Sequence, residues 1–168
     1  LNAEVDIAAP ECRRQAPILS LFRGPGQTAL DLGREFLVGF RIQPRRAGEG
    51  CAFSRVMRPQ GVALPILNMA VWLRREGESI ADARIAVGPA GPKPLRASAV
   101  EDFLRGCIYT RASSESAVEI LHTSMHFRTS PQRASADYRY HLSGVLYEEV
   151  FAKAWQRSFE AAAEQPPR

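Results

Sequence analysis

The 168-residue chain carries 22 basic against 18 acidic residues, a formal net charge of +4, and 45% of its residues are hydrophobic. A chain of this size and apolar content buries a core of its own, which excludes disorder and suits one domain or two small subdomains. Its longest apolar run, Ile66 to Leu73, meets Arg74 and Arg75 well short of the roughly 18–20 residues of a membrane span. The first segment alternates: Ala3, Val5 and Ile7 face one way, and Glu4 and Asp6 the other, so a half-buried strand is expected to end at Pro10. Those two acids stand where the basic start of a signal peptide would lie. The chain opens on Leu1 directly in this strand pattern and reads as a piece of something longer. Gly24-Pro25-Gly26 has turn chemistry. A second strand is expected from Phe36 to Ile42, with Phe36, Val38, Phe40 and Ile42 on one face. The polar, glycine-rich stretch Pro44 to Gly50 is expected to be mobile, and it divides residues 1–44 from 45–160, with 161–168 a frayed tail.

Three strands are expected next. Ala52 to Met57 is short. Ile66 to Arg75 is apolar on both faces, the pattern of a central strand covered on both sides. Ile80 to Val87 sets Ala81, Ala83, Ile85 and Val87 against Asp82 and Arg84, and Gly77-Glu78 reads as the hairpin turn before it. Gly88 to Pro92 stops the sheet, and the period turns helical. Ser98-Ala99-Val100-Glu101 reads as a capping box, with Gly106 closing that helix. Ser116 and Glu119 are expected to open a second helix that buries Ala117, Ile120, Leu121 and Met125. A third, from about Ser135 to Phe159, carries Leu142, Leu146, Val150 and Ala154 at steps of four, flanked by Val145. Strands followed by helices imply an α+β fold: a small antiparallel sheet packed against a three-helix cluster.

Candidate chemistry is sparse. Cys12, Cys51 and Cys107 are odd in number and far apart, which fits neither a disulfide framework nor a zinc site, and they read as half-buried thiols of a reduced, cytoplasmic chain. Basic residues come as scattered pairs (Arg13-Arg14, Arg45-Arg46, Arg74-Arg75) without the dense patch of a nucleic-acid binder. His122 and His126 stand four apart on an expected helix, but Thr123 holds the place where a zinc hydrolase needs glutamate. His141 reads as a surface or interface residue. Ser113 to Ser116 lacks a nucleophile elbow and reads as a helix cap, and no phosphate-cradling glycine motif occurs. Taken by themselves, the residues yield an α+β domain with no catalytic constellation.

The order of segments nevertheless resembles a known family. Leu1-Asn2-Ala3-Glu4-Val5, Phe22-Arg23-Gly24-Pro25-Gly26-Gln27-Thr28-Ala29-Leu30 and Gly33-Arg34-Glu35-Phe36-Leu37 resemble the FAD-binding subunits of molybdenum hydroxylases, the xanthine dehydrogenase and aerobic carbon monoxide dehydrogenase type. Phe53 to Gly61, Ala81 to Gly88, Pro92 to Ala97 and the final Ser135-Ala136-Asp137-Tyr138-Arg139-Tyr140-His141-Leu142 resemble that subunit's C-terminal subdomain. The resemblance implies that residues 1–44 end an incomplete FAD-binding subdomain whose diphosphate-gripping segment lies outside this chain. It implies a helper in holding FAD, which passes electrons from 2Fe-2S clusters to an acceptor, with the molybdenum cofactor and those clusters in partner subunits. Phe36 and Leu37 then match an apolar wall against the flavin, Arg55 a cation near the ring, Arg58 an arginine of the same loop, and Gly61 a point of close approach. Val62 stands where relatives often carry an aspartate. An assembly module that has lost flavin binding is the alternative, and a basic nucleic-acid-binding domain is favoured only by the charge. The first and second strands would form a two-stranded remnant with open edges, which implies association with other chains.

Overall fold

A computed structural model of the chain describes residues 1–58 and 63–160. Gly61, Val62 and the expected tail therefore lie outside the described residues. Two compact units result, Leu1–Pro44 and a second that begins at Arg45.

In the first unit, β1 (Glu4–Ala8) is the middle strand of three, flanked by β2 (Arg13–Pro17) and β5 (Phe36–Arg41), both antiparallel to it. The alternation in β1 works as expected: Val5 and Ile7 are fully buried, and with Ala16 and Leu21 they form the core of this unit. Between β2 and β5 run a 3-10 turn (Ile18–Leu21) and a hairpin of β3 (Phe22–Gly24) and β4 (Gln27–Thr28), turned by Pro25-Gly26 with Gly26 at φ +65°. The two-stranded remnant is thus corrected to a three-stranded sheet with a hairpin. Strand β2 escapes a sequence reading because Ala16 is its one buried residue and it shows no alternation.

Strand β5 also departs from expectation. Its register against β1 shifts so that Leu37 faces Ile7 and Gly39 faces Asp6, leaving Val38 as the extra residue of a bulge. A bulge inverts the alternation downstream. Phe36 therefore shares a face with Ala8 and Asp6, while Leu37 and Phe40 share the face of Ile7 and Val5. The expected single apolar face is split between the two sides of the strand.

In the second unit, β6 (Glu49–Met57), β7 (Pro65–Glu76), β8 (Ser79–Gly88) and β9 (Leu95–Arg96) form an antiparallel sheet in chain order. Glu49 and Gly50 belong to β6, so the segment taken as a mobile linker ends in the sheet. The hairpin from β7 to β8 turns at Gly77-Glu78, with Gly77 at φ +61°. Helices α1 (Ser98–Leu104), α2 (Arg111–Ser124) and α3 (Ala136–Arg157) cover one face: α3 lies on β6 and β7, α1 on β8, and α2 packs against both helices. Within this unit the described helices cover one side of the sheet. Leu67, Met69, Val71 and Leu73 of β7 are buried, while Ala70 and Trp72 between them are half-exposed, which corrects the expectation of a strand covered on both faces. Strand β8 has a bulge at Ala81 opposite Arg74 and Arg75, so Ile80 joins Ala83, Ile85 and Val87 in the core where Ala81 was expected.

The helices keep their order but change their caps. Helix α1 has no side-chain cap, because it starts one residue earlier than expected and its N-cap falls on Ala97, whose methyl group accepts nothing, while Glu101 is used elsewhere. Helix α2 begins earlier than expected, with Thr110 accepting from Ser113 N and Ser113 Oγ accepting from Thr110 N. Ser135 caps α3 by accepting from Tyr138 N. On α3, Leu142, Leu146, Val150 and Ala154 are buried as expected, but Tyr147 and Phe151 fill the flank given to Val145, which is exposed. Each large buried side chain contributes roughly 1.5–3 kcal/mol. Gly50 lets β6 meet the end of α3: a Cβ there would lie 2.0 Å from the Ala154 carbonyl oxygen.

Candidate functional site

The residues singled out by sequence fall on both units. On β5, Phe36 is 68% and Leu37 is 42% exposed, so the small core of the first unit leaves them uncovered. They belong to opposite faces of an edge strand, where apolar surface is normally kept short or guarded by charge.

Arg55 projects from the uncovered face of β6, opposite Asn68 of β7 and two residues from Phe53, which is 57% exposed. It is exposed and pairs with no acid among the described residues. Arg58 is placed differently. Its Nη2 donates to the Arg133 carbonyl at 3.1 Å, tying the end of β6 to the segment before α3. A 470 Å³ cleft opens there, lined by Arg58, Leu64, Ile66, Ser130, Gln132 and Arg133 among others.

The remaining sequence candidates lose their chemical readings. Helix α2 ends at Ser124, so His122 and His126 share no helical face, and no group of three or more metal-ligating side chains occurs among the described residues. His122 meets the Tyr140 ring edge-on at 5.8 Å. His141 is exposed. Cys12 and Cys51 are exposed and only Cys107 is half-buried, and all three are free thiols. Ser113 caps α2.

Two buried charges were missed. Glu101 is 6% exposed and accepts from Ile85 N at 2.7 Å and from Arg96 Nε and Nη2 at 2.6 and 2.7 Å. This bidentate pair locks α1 to β8 and β9. Arg139, at the start of α3, is also 6% exposed, and its Nη1 donates to the Pro89 carbonyl at 3.0 Å. Burial, and then the positive charges of Arg133 and Arg128, push its guanidinium below its ordinary value. The capping signal at Ser98 to Glu101 hid the first, since a cap and a buried ion pair use the same glutamate. The second had no local signal, because its partner is fifty residues away.

This geometry can be set beside known proteins. Residues 52–154 match the model of a family described as the CO dehydrogenase flavoprotein C-terminal domain. The chain is 32% identical over 159 residues to the nicotine 6-hydroxylase medium subunit of Paenarthrobacter nicotinovorans, covering 94% of this chain and 54% of that protein. It is 26% identical over 155 residues to the putative xanthine dehydrogenase FAD-binding subunit of Escherichia coli K12, covering 91% and 52%. Among solved structures, carbon monoxide dehydrogenase from Hydrogenophaga pseudoflava superposes with a TM-score of 0.83 at 26% identity, over 93% of this chain and 53% of the matched one. The chain spans about half the length of the curated relatives it matches. With more than half of its residues matched in one continuous stretch that takes in the four-stranded sheet and its three helices, the chain belongs to the CO dehydrogenase flavoprotein C-terminal domain family.

Proposed function

We propose that the chain is part of the FAD-binding subunit of a molybdenum-containing hydroxylase or dehydrogenase, where it helps to hold the flavin. The family match across residues 52–154 carries this reading. Each unit by itself offers side chains that suit a flavin in kind: the first leaves Phe36 and Leu37 exposed, and the second exposes Arg55, which pairs with no acid among the described residues. When bound, FAD supplies the transfer of electrons onward to an acceptor. Because Phe36 and Leu37 lie on opposite faces of β5, one of the two and not both lies against a planar ring, where it excludes water. Arg55 favours negative charge on its neighbour and orients it through a planar fork. Arg58, already bound to the Arg133 carbonyl, fastens the end of β6 to the segment before α3. Electrons arrive from 2Fe-2S clusters in one partner subunit, fed by the molybdenum cofactor in another. A further polypeptide segment, the N-terminal FAD-binding part, supplies the diphosphate grip. The assembly works in the cytoplasm, in keeping with three free thiols, and no described helix is long and apolar enough to cross a membrane.

A second reading, an assembly module without flavin, is favoured by Val62 in place of the aspartate that relatives often carry. Purification of the complete complex separates the two. A flavin absorbance spectrum at one FAD per copy of this chain supports the first reading; a complex that assembles without flavin overturns it in favour of the second.

A further inference from the structure

The segment that enters α3 gathers three arginines around a cleft that no described acid lines. Arg139 is 94% buried by its 6% exposure, spends Nη1 on the Pro89 carbonyl, and leaves Nε buried without a hydrogen-bond partner. It lines a 370 Å³ cleft with Arg128, Arg133, Thr129, Ser130 and the connection after β8, and no aspartate or glutamate is among the lining residues. Several other arginines of this chain have acids. Arg96 has Glu101, Arg14 has Glu35 and Arg41 has Asp6. A guanidinium taken out of water needs a charge partner to offset its desolvation, and a neutral carbonyl offsets only part of it. Two further arginines add repulsion, and the N-terminus of the 22-residue α3 adds partial positive charge, which Asp137 in its first turn offsets in part. The hydroxyl of Thr129 accepts from Ala136 N and keeps its own proton to donate.

We propose that this cleft is an oxyanion site that takes a phosphate group, with Arg139 as its buried anchor, Arg128 and Arg133 as its outer clamps, and Thr129 as a hydroxyl donor. Arginine forks match the tetrahedral oxygens of phosphate, two donors to two oxygens. The cleft accommodates free phosphate or the phosphoryl end of a nucleotide. This inference does not rest on the flavin reading, and its test contains no flavin.

The purified chain is titrated with inorganic phosphate at ionic strength held constant with sodium chloride. The Arg139 Nε–H resonance is followed together with phosphorus relaxation. A saturable shift is expected, with affinity weakened about fivefold or more in Arg128→Gln and in Arg133→Gln, each of which removes one charge-assisted contact. Arg105→Gln, whose guanidinium pairs with Asp102, should bind as the parent does. Both clamp arginines belong to a loop, so their variants are expected to fold even if Arg139→Lys does not. In a parallel titration, ADP binding tighter than phosphate assigns the site to a nucleotide, and equal binding assigns it to the free anion. A linear, non-saturating response, or one identical in the parent and the two clamp variants, overturns the proposal.

Discussion

Replacing Glu101 by alanine tests how the helical layer is fastened to the sheet. The carboxylate is the acceptor for the amide of Ile85, a fully buried residue, so its removal strands a buried donor at a cost of about 1–3 kcal/mol. It also frees Arg96, whose side chain is 29% exposed and can turn toward water, so the lost pair adds only about 1 kcal/mol. A loss of about 3 kcal/mol is therefore expected. Glu101→Gln keeps an oxygen for the Ile85 amide but turns an NH2 group toward Arg96, and should lose about half as much. Both tryptophans, Trp72 on β7 and Trp155 on α3, belong to the second unit, so their fluorescence reports on its unfolding alone. With a urea dependence of about 1.5 kcal/mol per molar, the midpoint should fall by about 2 M for Glu101→Ala and about 1 M for Glu101→Gln. A midpoint for Glu101→Ala within about 0.3 M of the parent would refute the account, as would equal shifts for the two variants.

Gly50→Ala should force the end of α3 away from β6, because the new methyl group would lie 2.0 Å from the Ala154 carbonyl; a loss of about 1–3 kcal/mol, read as a melting temperature lower by several degrees, is expected, and unchanged melting would contradict it. In the first unit, the Arg14 guanidinium and the Asp31 amide hold the Glu35 carboxyl down from 4.5 to about 2. A depressed carboxylate stabilises the fold above its unfolded value, and that contribution is lost as pH falls through about 2; carbon NMR of Glu35 should show the low midpoint, and Arg14→Gln should return it toward the ordinary range. In the assembled enzyme, Arg55→Glu should lower the flavin midpoint potential and slow acceptor reduction while Arg55→Lys stays mild, and equal potentials for the two variants would remove the role given to Arg55. If the proposed diphosphate grip belongs to another segment, the chain alone should leave FAD fluorescence nearly unchanged on titration, and tight stoichiometric binding would show that the grip lies within it.

Periodicity and turn chemistry alone determined the α+β class, the β7–β8 hairpin at Gly77-Glu78 and the buried stripe of α3. These are local signals: the side chains that specify them lie within a few residues of one another. The order of motifs determined the family. The bulges at Val38 and Ala81 were decided by tertiary structure, because inserting one residue into a ladder depends on the partner strand, and each bulge reassigned which side chains face the core. Tertiary structure also decided that Glu101 serves Ile85 and Arg96 in place of the expected cap, and that the helices of the second unit bury one face of β7. An amphipathic pattern says that a face is buried, but it does not say which element arrives to bury it. Arg139 shows the same limit at a candidate site: the sequence shows an arginine on a helix, and only the chain's return past Pro89 makes it a buried cation with no acid among the described residues that line its cleft.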